Sequence, residues 1–586
     1  MNLQEKIDEY LKFECDEDFI KELHNAGGQE IVDAFSKRIK FGTAGLRARM
    51  SFGIKYMSCG SVWRASQGLC AYYLKSLPKD EVTKTCVIIG YDARYKSRYF
   101  AAITAAVFLS KGLKVHMHDK ETFTPLNPFC VVKYKALCGV QITASHNPKM
   151  DNGYKVYGPL GSQILSPVDV EVEQEIESQS VAWEGVNEII DHENRWINFN
   201  HPLVANLIDS YEEDWNDYCD AVTEKMNLGS FADVKLKIGY SAMHGVGYRH
   251  VKELLDKLDY PKLSFFSVPE QQNPDPEFPT VKFPNPEEAG ATDMSLKYAE
   301  QNNCNLTFLN DPDADRLLCI EYQPKTNSYY QFTGDELGVL LCHFAYEIHS
   351  KHGKMAMARS AVCCGFMDTF VKHSEGKVAQ VECLTGFKWL ATNLLREYET
   401  YGRYPAYGYE EALGYALCVD IVPDKDGVSA MMGTIKLASR LHELGLTLKD
   451  HLEQLMENYK YYFVTKNGYY IIANTNVLGQ AIKKFRNNNY ELGIPDFKVS
   501  RVVDMAIFYD SSKPNNKPDL PNTGEDMLML TFENGFHVTY RNSGTEPKLK
   551  YYSEMVSDIS QDEARANISN YLQIVSDALF AGFELN

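Results

Sequence analysis

A serine stands directly beyond an apolar run in this sequence. Cys138-Gly139-Val140-Gln141-Ile142 reads as a buried strand and Thr143-Ala144-Ser145-His146-Asn147-Pro148 follows it, so the Ser145 hydroxyl falls where a strand ends and the chain must turn. In open α/β sheets, ligands collect at those strand ends. Pro148 disfavours helix at Asn147, Asp151-Asn152-Gly153 adds a second turn signal, and Lys155 puts a cation at the far end of the loop. Taken alone, a serine in a polar loop is most often a turn former.

A second cluster is Asp311, Asp313 and Asp315, which alternate through a strand-to-loop segment; a period of two sets such side chains on one side. Three carboxylates held together repel unless a cation joins them, and hard oxygen ligands suit magnesium. An acidic surface loop is the plain alternative. A calcium EF-hand fails, because its glycine position holds Arg316 and its closing glutamate position holds Tyr322. A third cluster, Arg541-Asn542-Ser543-Gly544-Thr545 with Lys548 beyond it, combines a guanidinium, two hydroxyls and the amide groups of a glycine turn, the makings of a phosphate nest. Weaker signals lie in Phe41-Gly42-Thr43-Ala44-Gly45-Leu46-Arg47, in Thr385-Gly386-Phe387-Lys388 and in Glu410-Glu411-Ala412, where a glutamate pair is ordinarily solvated surface. Asp424-Lys425-Asp426-Gly427, with Ser429 as a helix cap, reads as a turn and cap.

The elements that must position these residues alternate. Cys86 to Gly90 reads as a strand closed by Tyr91-Asp92-Ala93-Arg94, Ser97 to Leu113 as an apolar helix, Lys114 to His118 as a strand, and a helix near Pro128 to Tyr134 leads to the strand before Ser145. Such alternation means βαβ units and a mostly parallel sheet. It restarts twice, with strands at Val234 to Tyr240, Leu263 to Val268 and Asn305 to Leu309, then at Met355 to Val362 after the helix Asp335 to Ser350. The last stretch differs, with helices from Leu448 to Tyr459 and near Gly479 to Arg486, strands at Tyr469 to Ala473, Arg501 to Tyr509, Met527 to Thr531 and His537 to Tyr540, a turn at Asn534-Gly535 and a terminal helix from Asp562 to Phe583. The expected fold is therefore three similar α/β domains with mixed, mainly parallel sheets plus a C-terminal α+β domain, divided as 1–208, 209–325, 326–447 and 448–586.

The formal charge of −19 argues against general binding to nucleic acid or to an anionic membrane surface. The 14 cysteines are scattered with no Cys-x-x-Cys pair, which favours buried reduced thiols over a zinc cluster and a reducing, cytoplasmic setting. The polar, acidic start is no signal peptide, and no apolar run approaches the ~20 residues that span a bilayer.

Thr-Ala-Ser-His-Asn-Pro with Asn-Gly-Tyr-Lys beyond it resembles the phosphoserine loop of the α-D-phosphohexomutases, the phosphoglucomutase and phosphomannomutase superfamily. Asp-x-Asp-x-Asp-Arg resembles that family's metal loop, Glu410-Glu411-Ala412 its sugar-binding Glu-x-Ser with alanine for serine, and Arg541-Asn542-Ser543-Gly544-Thr545 its phosphate loop with Asn542 where many members have proline. Tyr409-Glu410-Glu411-Ala412 and Asp424-Lys425-Asp426-Gly427-Val428-Ser429-Ala430 are closest to the phosphoglucomutase-2 subgroup, which includes phosphopentomutases and glucose-1,6-bisphosphate synthase. The resemblance implies four domains around one central cleft and a magnesium-dependent mutase that interconverts glucose 1-phosphate and glucose 6-phosphate, with glucose 1,6-bisphosphate as activator. It also implies action on ribose or deoxyribose 1-phosphate; the alternatives are a phosphopentomutase, a bisphosphate synthase or an inactive phosphosugar-binding relative.

By the same resemblance, Ser145 carries the phosphoryl group, magnesium sits on Ser145, Asp311, Asp313 and Asp315, and Arg47, Lys155 and Arg316 neutralise the transferring group. Lys155 or His146 moves the proton. Thr385, Gly386, Lys388, Glu410 and Ala412 meet the sugar, while Arg541, Ser543, Gly544, Thr545 and Lys548 hold the resting phosphate, with Lys388 assisting. Small-molecule sugar phosphates are the expected partners, with no nucleic acid and no membrane, on a monomer or weak homodimer.

Overall fold

The computed structural model describes residues 1–42, 45–472, 474, 476–543 and 548–585. Its first three large sheets share one plan. In the first, Leu207–Ile208, Lys114–Met117, Cys86–Tyr91 and Gly139–Ile142 lie parallel, followed by antiparallel Asp151–Tyr157 and Gly45–Arg49. In the second, parallel Ser264–Ser267, Lys237–Ser241 and Leu306–Leu309 are followed by antiparallel Leu318–Gln323 and Ser328–Gln331. In the third, parallel Val378–Cys383, Met355–Ser360 and Tyr404–Glu410 are followed by antiparallel Gly414–Ala416. This is the repeat expected from the alternating pattern, with one addition: each last parallel strand runs through a short loop into an antiparallel return strand. The loops are 143–150, 310–317 and 411–413, and they hold the serine, the aspartates and Ala412.

The fourth large sheet is wholly antiparallel, ordered Tyr462–Ile471, Lys548–Ser557, Phe536–Asn542, Met527–Phe532, Val499–Asp504 and Tyr509–Asp510. Helices Val477–Asn487 and Gln561–Leu579 cover one face. Its first strand begins seven residues before the expected Tyr469, because Tyr462 to Ile471 pairs continuously with the strand Lys548–Ser557.

The junctions between sheets are themselves core. Helix Tyr211–Lys225 inserts Trp215 and Tyr218 among Phe123, Phe129 and His250, and these join a cluster that runs on through Ile238, Phe308, Leu340, Tyr407 and Met431. Burying each large apolar side chain is worth roughly 1.5–3 kcal/mol, so the first three sheets are held against one another by the same force that holds each together. Helix Gly427–Glu443 starts two residues before the expected cap: Asp426, not Ser429, is the N-cap, because its carboxylate accepts from the Val428 and Ser429 amides at 3.0 Å each.

The expected second turn at Asp151-Asn152-Gly153 is instead the start of the return strand. Asn152 is buried, and its amide donates to the Tyr95 carbonyl and Ser97 hydroxyl at 3.0 Å each, while a Cβ on Gly153 would stand 2.5 Å from the Thr143 carbonyl oxygen. Asn-Gly here answers a buried donor and a close backbone approach, not a left-handed turn. Gly153→Ala is accordingly expected to destabilise the protein by about 1–3 kcal/mol through overpacking against the serine loop, read as a lower urea midpoint at unchanged slope.

Candidate active site

Ser145 has a left-handed backbone, φ 53°, which a residue with a side chain rarely adopts. The buried Arg94 guanidinium holds it there, donating to the carbonyls of Ser145 at 2.5 Å, Asn147 at 2.7 Å, Pro148 at 2.9 Å and Asp151 at 3.2 Å. Asp92 lies 3.3 Å from Arg94 and orients it, and the Ser145 amide donates to the Thr143 hydroxyl at 2.9 Å. The serine hydroxyl therefore points from an over-determined loop, the usual setting of a strained functional residue.

That hydroxyl donates to Asp311 Oδ2 at 2.8 Å, and His146 Nδ1 lies 3.2 Å from it. Burial first, then Arg316 and Arg47, hold the His146 ring well below its ordinary pKa, so it is neutral near pH 7. Arg47 itself donates to the Asn147 side chain at 3.2 Å, which ties the edge strand Gly45–Arg49 to the same loop.

Asp311, Asp313 and Asp315 are all fully buried, and one oxygen of each lies within 4.8 Å of the others. Lys155, on the return strand of the first sheet, sits 2.9 Å from both Asp313 Oδ2 and Asp315 Oδ2. Lys425, from the loop before helix Gly427–Glu443, sits 2.9 Å from Asp315 Oδ2. Thr124 donates to Asp313 from its hydroxyl at 2.6 Å and from its amide to the Asp313 carbonyl at 2.9 Å, while Arg316 lies 3.9 Å from Asp311. Burial alone would lower the Lys155 pKa; Asp313 and Asp315 more than offset it, so Lys155 stays an ammonium. Asp315 is held far below the usual carboxylate range by Lys155, Lys425 and Arg316 against the cost of burial. Asp311 is pushed well above that range by burial, then by Asp313 and Asp315.

Asp313 Oδ1 and Asp315 Oδ1 are buried with no hydrogen-bond partner among the described residues. Two orphaned carboxylate oxygens beside Asp311 and the serine hydroxyl are the donor set a hard divalent cation takes, so these residues fit the magnesium expected from the sequence.

The other expected residues fall elsewhere around these loops. Glu410 and Glu411 are buried, contrary to the solvated pair the sequence suggests, because the loop is pinned by the Leu317 amide donating to the Leu413 carbonyl at 3.0 Å. Glu410 is among the charges acting on Arg316 and Lys425. Ala412 is half-buried between Glu411 and Leu413. Thr385 and Gly386 precede helix Phe387–Tyr401; the Thr385 hydroxyl is buried without a partner among the described residues, and burial pushes the Lys388 ammonium down to about 8 beside Asp169 and Glu525. Arg541, one residue before the end of the strand Phe536–Asn542, pairs with Lys550, and Glu411, Arg541, Glu287 and Glu410 are among the charges acting on Tyr552 of the same sheet. The Ser543 amide donates to the Lys548 carbonyl at 2.9 Å, the Lys548 ammonium lies 4.2 Å over the Tyr469 ring, and Gly544 and Thr545 lie outside the described residues.

Sequence reasoning missed Arg94, Thr124 and Lys425 as parts of this site. Arg94 had a signal, a charged residue just past the end of the strand Cys86–Tyr91, and Lys425 sits inside a segment that reads as turn and cap. Thr124 had none.

Residues 38–182, 216–323 and 333–459 match the family descriptions phosphoglucomutase/phosphomannomutase alpha/beta/alpha domain I, domain II and domain III. The chain is 38% identical over 566 residues to the Schizosaccharomyces pombe protein named probable phosphoribomutase, spanning 94% of this chain and 93% of that one. It is 35% identical over 553 residues to the Homo sapiens phosphopentomutase, spanning 90% and 86%. It is 33% identical over 589 residues to the Homo sapiens glucose 1,6-bisphosphate synthase, spanning 96% and 90%.

Burial, then Asp313 and Asp315, push the Asp311 carboxyl toward its protonated form, whereas a metal ligand must be ionised. Magnesium added to the metal-free protein at pH 7 should therefore release up to about one proton per ion bound, and Asp311→Asn should abolish the release. Calorimetry in buffers of differing ionisation enthalpy reads the number; no release from the wild type would mean that Asp311 is already ionised.

Proposed function

The chain belongs to the phosphoglucomutase/phosphomannomutase family, and from that premise we propose that it is a phosphosugar mutase working through a phosphorylated Ser145. The single observation that carries this reading is the Ser145 hydroxyl, fixed by Arg94 and set 2.8 Å from a buried aspartate cluster already bridged by Lys155. In the first half-reaction a sugar hydroxyl attacks the phosphoryl group on Ser145; the new P–O bond forms as the bond to Ser145 Oγ breaks, and the hydroxyl proton passes by way of the neutral His146 to the departing Ser145 Oγ, 3.2 Å from its Nδ1. In the second, the sugar bisphosphate turns over in the cleft and returns its other phosphoryl group to Ser145.

Phosphoryl transfer needs mainly positioning and charge neutralisation. A divalent cation held by Asp311, Asp313, Asp315 and the serine oxygen would supply Lewis-acid stabilisation of the phosphoryl oxygens. With the ion bound and Asp311 ionised, Lys155, Lys425 and Arg316 balance the three carboxylates, so a dianionic phosphoserine together with a doubly charged cation leaves the cluster near neutral. Lys155 is held as an ammonium by Asp313 and Asp315, which favours His146 as the proton carrier and Lys155 as a fixed charge. Thr385, Lys388 and the N-terminus of helix Phe387–Tyr401, together with Arg541, are the groups that would bind the phosphate that is not reacting.

Two of the three relatives are named for pentose phosphates, which favours interconversion of ribose or deoxyribose 1-phosphate with the 5-phosphate as the main reaction, alongside the glucose phosphates expected from the sequence. Ala412 points the same way, since its methyl group offers a hexose no hydrogen bond where other family members place serine. Synthesis of glucose 1,6-bisphosphate is the second reading, favoured by the third relative. The 14 free thiols fit a reducing, cytoplasmic setting, and among the described residues no helix is long and apolar enough to cross a membrane.

Ser145→Ala should lower bisphosphate-dependent turnover by several orders of magnitude with the fold intact, and intact mass should show about 80 Da extra on part of the wild type and none on the variant. Substantial mutase turnover in the variant sinks the phosphoserine reading. Coupled assays of ribose 1-phosphate against glucose 1-phosphate, with and without added bisphosphate, separate pentomutase, glucomutase and synthase. Ala412→Ser should raise the glucose-to-ribose ratio of kcat/KM by up to roughly tenfold, the worth of one hydrogen bond of about 0.5–1.5 kcal/mol; an unchanged or lower ratio would show that Ala412 does not face the sugar.

A further inference from the structure

Cys15 and Cys59 are far apart in sequence, but folding brings their sulfurs together. Cys15 lies in the turn between helices Leu3–Leu11 and Glu17–Asn25, and Cys59 is the first residue of helix Cys59–Ser76. Their Sγ atoms and a Glu14 carboxylate oxygen all lie within 4.8 Å of one another. The backbones also approach closely: the Gly60 amide donates to Glu14 Oε2 at 3.0 Å, and a Cβ on Gly60 would stand 3.2 Å from the Glu14 nitrogen. The other twelve cysteines and Cys59 are buried, whereas Cys15 is partly exposed.

The surroundings distinguish the two sulfurs. The Tyr99 hydroxyl lies 3.5 Å from Cys15 Sγ, and His192 Nδ1 lies 2.7 Å from that hydroxyl. We propose that Cys15 and Cys59 form a reversible thiol–disulfide pair, with partly exposed Cys15 reacting first with a peroxide and buried Cys59 resolving it.

Electrostatics agree with these roles. The Cys59 S–H, then His192 and Tyr99, pull the Cys15 thiol down to about 6 against the cost of burial, while burial pushes Cys59 well up. Thiolate character and access are what select an oxidation-sensitive cysteine. A metal is the weaker occupant, because Glu14 is already engaged: Oε2 accepts from the Tyr10 hydroxyl at 2.7 Å and the Gly60 amide at 3.0 Å, and Oε1 accepts from the Asp16 amide at 2.8 Å.

The chemistry balances with hydrogen peroxide as oxidant. The Cys15 thiolate attacks one peroxide oxygen, an S–O bond forms, the O–O bond breaks, and the leaving hydroxide takes a proton to become water. Cys59 then loses its proton, with the Glu14 carboxylate nearby to accept it, and attacks the Cys15 sulfenic acid. The S–S bond forms, the S–O bond breaks, and hydroxide leaves as a second water; two thiols have lost two electrons and the peroxide has gained them. The disulfide closes a loop that contains the strand Gly45–Arg49, and with it Arg47 at the serine loop.

The test treats the reduced full-length chain with limiting hydrogen peroxide, blocks free thiols and maps the peptides. The expected product joins the Cys15 and Cys59 peptides at about 2 Da below their summed reduced masses and is reversed by dithiothreitol. In Cys59→Ser, Cys15 should instead be trapped as a dimedone adduct; Cys59→Ala gives the same readout should the serine at this buried position unfold the protein. Cys15→Ser should lose both products. The proposal is overturned if Cys15 and Cys59 stay fully alkylatable under peroxide that oxidises other cysteines, or if the purified protein holds stoichiometric zinc that Cys15→Ser releases.

Discussion

Taking a carboxylate out of water is costly unless cations and hydrogen bonds meet it, and this protein buries three of them side by side. No one sheet can balance Asp311, Asp313 and Asp315. The second sheet supplies the aspartates and Arg316, the first supplies Lys155 and Thr124, and the third supplies Lys425. The charge cluster thus fixes where the three sheets meet, and removing one cation would leave an unpaired buried charge. Neighbouring buried hydrogen bonds, from Tyr157 and Gln163 to Asp424 and from Tyr218 to Asp426, hold the third sheet's loop in the same register.

The fourth sheet is joined by different means. Apolar Ala361, Val362 and Leu384 pack on Val503, Met505, Leu520 and Met527, and Glu554 accepts from the Gly365 amide and the Tyr461 hydroxyl. Burial pushes Glu554 up to about 8, so this contact is a buried polar pin and not an exposed ion pair. With a strand period of two, Glu554, Tyr552 and Lys550 share one face with Arg541, and Glu410, Glu411 and Arg541 are all among the charges acting on Tyr552 there.

Much of the architecture was legible because it rests on local patterns. Apolar runs such as Cys138 to Ile142 and Leu306 to Leu309 mark buried parallel strands, and their abrupt change to polar residues marks the loops at their ends. The return strands Asp151–Tyr157 and Leu318–Gln323 were missed, for a physical reason: each begins inside the polar stretch that holds the site, and buried polar residues such as Asn152 and Lys155 break the apolar signal. The glutamates 410 and 411 misled in the same way, since their burial depends on contacts made by distant loops.

The sequence by itself determined the order of α/β units, the loop that carries Ser145, and the spacing that sets three aspartates on one side of a strand end, because a period of two or 3.6 and the chemistry of turns act over a few residues. Only the tertiary structure decided that Lys155 lies on Asp313 and Asp315, that Lys425 is a partner and not part of a turn, that Arg94 holds the serine's backbone, and that Cys15 meets Cys59. Those pairs join residues from tens to 160 positions apart. Their energy comes from burial and charge compensation between packed sheets, which no local window of the chain contains.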